Sequence, residues 1–148
     1  RGYPLSVFET AVRNLRERGI EVIVHTILGL PGESQEDILA TMKYLNYRDI
    51  QGIKLQLLHV LKGTDLAQEY LEGKFHVYER EEYLNLVIRC LENLDPEIVI
   101  HRMTGDGPEK LLLAPLWTGR KREVLNLLHH QMKVCDSWQG KQFHSLPE

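Results

Sequence analysis

The 148-residue chain has little cysteine: only Cys90 and Cys135, far apart and inside helical patterns. That spacing excludes a disulfide framework and a cysteine metal motif, and it suits thiols kept reduced in a cytoplasmic setting. Long hydrophobic runs are also missing. None approaches the roughly 20 residues of a membrane helix, and no signal-peptide pattern precedes the first helix. Positive charge is not in excess, because the formal net charge is -3. A general nucleic-acid binder is therefore not expected. There is no internal repeat, no low-complexity tract, and no Walker-type glycine spacing before Lys62. The chain opens on Arg1-Gly2-Tyr3-Pro4 without an initiator Met, as a processed protein or a piece of a longer one would.

What is present is the make-up of one globular domain, 43% hydrophobic and 26% charged, long enough to bury a core. Ser6 and Glu9 stand at capping-box spacing, and Phe8, Val12 and Leu15 follow as a helical stripe stopped by Gly19. Residues 20–28 form an almost unbroken apolar run, the pattern of a strand covered on both faces. It ends in Gly29-Leu30-Pro31-Gly32-Glu33, and Ser34 with Asp37 opens a second helix. A second strand is expected over 53–59, with a loop over 61–65 and a short helix near 66–71. A third long helix covers 79–94, a third strand 97–102, and a last helix 118–134, while 111–116 stays open between helix and strand. Strands joined through helices run parallel with right-handed crossovers. The fold class is α/β, with about three parallel strands and covering helices. Residues 1–135 hold the structured part, and 136–148 form a loosely ordered tail.

Chemistry collects at the carboxyl ends of the three strands. Glycines 29 and 32 let backbone approach a ligand, and the helix after them offers free amides. His25, His59 and His101 stand one per strand. Three imidazoles can ligate zinc, but His25 lies about two residues deeper, roughly 7 Å at strand rise. Separate hydrogen-bonding roles fit better, and no metal site is assigned. Gln56, His59, His101, Arg102 and Asp106 project near strand ends, and His25 joins them as a candidate substrate contact. In Thr104-Gly105-Asp106-Gly107-Pro108 the aspartate is either a turn former or a substrate-facing carboxylate.

The elements His25-Thr26-Ile27-Leu28-Gly29-Leu30-Pro31-Gly32-Glu33, Lys62-Gly63-Thr64, Thr104-Gly105-Asp106 and Ala114-Pro115-Leu116-Trp117 together resemble the carboxyl-terminal half of a radical SAM protein of the YhcC-like group. The resemblance implies part of a (β/α)6 partial TIM barrel whose fifth and sixth strands are the first two here. It also implies a parent enzyme, oxidoreductase-like, that uses S-adenosylmethionine and a 4Fe–4S cluster to make a 5′-deoxyadenosyl radical. Ile27 and Gly29 match the superfamily's adenine-side pattern, His25 replaces its first glycine, and Glu33 falls one position late. Cofactor contacts are then expected at Ile27, Gly29, Leu30, Pro31 and Gly32, and along Val60, Leu61, Lys62 and Gly63. The cluster needs three thiolates in one motif, and that motif is absent, so this piece alone is expected to be inactive. Losing the earlier strands would leave residues 20–28 with an open edge, prone to self-association. Two other readings stand beside this one: a stand-alone α/β module binding a small ligand or partner, and a metal-dependent hydrolase using the strand histidines.

Overall fold

Alternation along the central strand decides which way the sheet faces. In the computed structural model, which describes residues 2–105 and 107–144, β2 runs Gly52–Leu57. Ile53 and Leu55 are fully buried and Leu57 nearly so, whereas Lys54 and Gln56 point to the other side. β1 (Ile23–Leu28) and β4 (Val99–Arg102) flank β2, both parallel to it. Between β1 and β2 lies α2 (Gln35–Asn46). Between β2 and β4 lie α3 (Asp65–Leu71) and α4 (Arg80–Asn93). The buried stripe of α2, Ile38, Met42 and Leu45, meets Leu84, Val87 and Leu91 of α4 under the sheet. α5 (Lys121–Val134) adds Val124 and Leu128 to the same core from beyond α4.

The helices cover one face only. The opposite face carries Ile23, His25 and Ile27 from β1 in register with Gly52, Lys54 and Gln56. A strand covered on both sides was the expectation for the first apolar run. Its outer half is instead open, with Ile27 40% exposed. The strand starts at Ile23 and not at 20, because Gly19, at φ 71°, and Ile20 finish the helix turn before it.

Local signals hold in α2, where Ser34 and Asp37 form the full capping box. They fail in α1 (Leu5–Arg16), which starts at Pro4 without a side-chain cap and takes Ser6 into its first turn. Glu9 is drawn elsewhere: its Oε1 accepts from the Tyr44 hydroxyl at 2.8 Å and from Arg48 at 2.7 Å. The Arg48 guanidinium also lies 3.9 Å over the Tyr44 ring, so tertiary partners on α2 and just beyond its end replace the local cap. Leu15 belongs to no core and is 39% exposed.

Two further corrections concern non-local pairing. β2 ends at Leu57, and part of the expected loop is a strand, β3 (Val60–Leu61). It pairs antiparallel with β5 (Leu112–Ala114), which resolves the ambiguous segment as strand, followed by a 3-10 turn (Leu116–Gly119). This small sheet has its own core of Val60, Ala67 and Ala114. The tail is also tied down as far as it is described. Gln139 donates to the carbonyls of Asp95 and Ile98, and the Gly140 and Gln142 amides donate to Leu91 and Glu92.

Candidate functional site

The carboxyl ends of β1, β2 and β4 present three loops, and each loop has a distinct job. Gly29 follows β1 at φ 86°. A Cβ there would lie 2.9 Å from the Tyr78 ring, so this glycine makes room for packing from within the protein and not for a ligand. Gly32, at φ 80°, has open space where a Cβ would be. Leu30 between them is 42% exposed, and Pro31 is exposed too. Glu33 turns inward, with one carboxylate oxygen buried and without a hydrogen-bond partner. Burial pushes its carboxyl above the usual range, and nearby Asp37 adds to that, against a backbone hydrogen bond at Leu30. Tyr78 is pushed up in turn, first by burial and then by the Glu33 charge.

After β2, Val60 is fully buried in the core of the small sheet, and Leu61 is half-buried. Lys62 and Gly63 are exposed, and Gly63, at φ 77°, again has open space beside it. Thr64 caps α3, accepting from the Ala67 amide at 3.1 Å and donating to the Leu61 carbonyl at 2.8 Å. The Lys-Gly-Thr element thus has a structural reason that does not involve a ligand.

The loop after β4 wraps His59. A Cβ on Gly105 would run into the imidazole, and one on Gly107 would lie 3.4 Å from it. The His59 Nε2 lies 3.1 Å from the Thr118 hydroxyl, whose own proton goes to the Pro115 carbonyl at 2.8 Å. With that proton spent, Thr118 can only accept, which assigns a proton to His59 Nε2. The Thr-Gly-x-Gly and Ala-Pro-Leu-Trp-Thr segments therefore meet on one histidine. Asp106 lies outside the described residues. Thr104 is 3% exposed, and its hydroxyl has no partner among the described residues. Tyr83 holds the loop from below, donating to the Met103 carbonyl at 2.8 Å.

The three histidines do not converge. His25 stands on the open face of β1, and His101 lies on the same face above Gly52, whose Cβ would be 2.6 Å from its ring. His59 turns into its glycine loop. Among the described residues no group of three or more His, Cys, Asp or Glu could hold a metal ion. Gln56 is brought beside Ile27 by register, and Arg102 beside Lys54. Lys54, Tyr78 and Thr118 were missed from sequence. Only Lys54 carried a signal, as a polar position in an alternating strand.

The groups implied by resemblance fit unequally. Ile27, Leu30, Gly32 and Gly63 leave apolar and open surface of the kind that a flat heterocycle can cover. A 4Fe–4S cluster does not fit: Cys90 is buried in α4, its thiol pushed up to about 12, and Cys135 stands alone on the surface.

Comparison with known proteins agrees with the architecture. The chain is 39% identical over 148 residues to the uncharacterised protein YtqA of Bacillus subtilis, covering 100% of this chain and 46% of that one. It is 33% identical over 117 residues to protein YhcC of Escherichia coli K12, covering 79% of this chain and 38% of that one. It thus spans less than half the length of these relatives. A solved structure of Elp3 from the archaeon Methanocaldococcus infernus, with residues 1–46 deleted, superposes with a TM-score of 0.75 at 20% identity. That match covers 94% of this chain and 33% of the other, and it shows a shared fold. Residues 50–134 match the model of the radical SAM C-terminal domain, and the chain belongs to that family.

Proposed function

We propose that this chain is the adenine-side part of a radical SAM barrel, and that its parent enzyme binds S-adenosylmethionine at the carboxyl ends of β1 and β2. The observation that carries this reading is the end of β1, where Ile27 and Leu30 are 40% and 42% exposed beside the open Gly32. Apolar side chains exposed beside a positive-φ glycine form a shelf against which a purine can stack without displacing protein atoms. Leu61, Lys62 and Gly63 close the second side, with Val60 buried beneath them. Bound S-adenosylmethionine, reduced by a cluster held elsewhere in the parent, would supply the radical chemistry. The residues here would orient the cofactor and exclude water. Alone, the chain does not cleave S-adenosylmethionine, because two isolated thiols cannot replace a three-thiolate motif. A small-molecule substrate in a cytoplasmic compartment suits the free thiols and the net charge of -3.

Titration of the isotope-labelled chain with S-adenosylmethionine tests the reading. Amide shifts confined to Ile27, Leu30, Gly32 and residues 60–63 support it. Shifts elsewhere, or none, favour a stand-alone module with a different ligand.

A further inference from the structure

Leu30, Pro31, Gly32 and Glu33 form a closed turn, the Glu33 amide donating to the Leu30 carbonyl at 3.1 Å. Proline at the second position and Gly32, at φ 80°, at the third are the pattern of a type II turn, which is stiff in itself. The Ser34–Asp37 capping box anchors the far end of the turn to α2. The near end joins β1 through Gly29 alone, at φ 86°, the residue type with the most backbone freedom. The adenine shelf is thus a stiff turn on one hinge, and the Tyr78 ring is packed where a side chain at that hinge would lie.

Tyr78 ends the segment between α3 and α4. Phe75 and Val77 pack against the small-sheet core that includes Val60, whereas Tyr78, one residue on, packs against the main core. His76 is exposed. The backbone of Tyr78 is held as well: Trp117 Nε1 donates to its carbonyl at 3.1 Å, and the Glu79–Glu82 box opens α4 at the next residue. Residues 75–78 therefore touch the packing beneath each side of the cofactor cleft.

We propose that residues 75–78 are a strut that sets the spacing between the two sides of the cofactor cleft, with Tyr78 as the positioning residue that holds the Gly29 hinge. Without the ring Gly29 regains its freedom, and its backbone has to be ordered again each time the cofactor binds. The ring acts by its shape, so the hydroxyl is dispensable. The inference rests on the adenine reading for its ligand, though not for its geometry.

The test compares Tyr78→Leu with Tyr78→Phe in the isotope-labelled chain, by nitrogen relaxation of the free protein and by titration with S-adenosylmethionine. Tyr78→Leu should lower the amide order parameters of Gly29, Leu30 and Gly32 from about 0.85 to about 0.6. It should also weaken S-adenosylmethionine binding about tenfold, the fold-change that matches freeing one backbone residue. Tyr78→Phe should change neither, and Val77→Ala should loosen Leu61 and Gly63 instead. Leu128→Ala opens the core at α5 and controls for lost stability. It lowers the melting temperature and should leave both the loop and the affinity as they are. Unchanged loop order in Tyr78→Leu, or equal loosening in Tyr78→Phe or Leu128→Ala, overturns the proposal. So does a Val77→Ala chain in which Leu61 and Gly63 stay as ordered as before. A loosened loop that still binds S-adenosylmethionine with full affinity also overturns it and leaves the adenine reading intact. If Tyr78→Leu loosens the loop but S-adenosylmethionine binds neither variant nor parent chain, the strut stands and the adenine reading fails.

Discussion

Gly29 and Gly32 sit three residues apart in one motif, with the same sign of φ, yet they serve different ends. Only Gly29 has protein, the Tyr78 ring, where its Cβ would go. Gly32→Ala should therefore cost about 1 kcal/mol, the price of a left-handed conformation for an L side chain. Gly29→Ala should cost about 2 kcal/mol or more, since the clash adds to the conformation. Urea denaturation reads both values, and Tyr78→Leu should bring the Gly29→Ala cost down toward that of Gly32→Ala. Glu33 makes a second residue-scale prediction. Its folded-state carboxyl is raised, so its contribution to stability is fully present below the usual carboxylate range. That contribution is lost as pH rises through the raised value. Glu33→Gln should thus raise the melting temperature at pH 7 and leave it nearly unchanged at pH 4. A melting temperature lowered equally at both pH values would mean that the carboxylate is stabilised by contacts and not penalised by burial.

At the scale of elements, His59 and Thr118 join the end of β2 to the turn before α5. In sequence, His59 reads as the end of the second strand, residues 111–116 stay open between helix and strand, and Thr118 opens the last helix, with nothing to join them. Their meeting depends on β3 pairing with β5, a contact between residues 60–61 and 112–114 that no local pattern encodes. Thr118→Val keeps the shape and removes the acceptor for His59 Nε2. It should cost about 0.5–1.5 kcal/mol, the net worth of one hydrogen bond from a part-buried donor. A double-mutant cycle with His59→Leu should show coupling of about 1 kcal/mol, and additive effects would separate the two residues. Other elements were plain in the sequence. The Ser34–Asp37 box, the α4 stripe and the parallel β-α-β order need only short-range information, and all three are present in the structure. The Ser6–Glu9 box was equally plain and is not formed, because Tyr44 and Arg48 offer Glu9 partners that no local pattern could anticipate.

For the whole molecule, the telling fact is an edge. The strand order β1-β2-β4 leaves the outer side of β1 without a paired strand among the described residues. Beside that edge lies a groove lined by Tyr3, Leu5, Phe8, Val24 and Tyr44. Leu5 and Tyr3 are 58% and 48% exposed, an unusual density of apolar surface at a strand edge. We expect the chain to self-associate there. Sedimentation velocity should show a mass that rises with concentration, and Ile27→Lys, which puts charge on the edge strand, should reduce it. A monomer at every concentration would show that the edge is protected.

The sequence by itself determined the α/β class, the parallel order, most helix boundaries and the positions where loops leave the sheet. These follow from periodicity, caps and glycines, which act over a few residues. The tertiary structure decided what each loop is for. It set Tyr78 against Gly29, placed His59 inside a glycine loop, separated three histidines, and aligned Lys54 with His25 and Arg102. Each of those outcomes depends on strand register or on packing between distant segments. A shift of one residue in register turns every side chain to the other face, so nothing short of the assembled sheet could decide them.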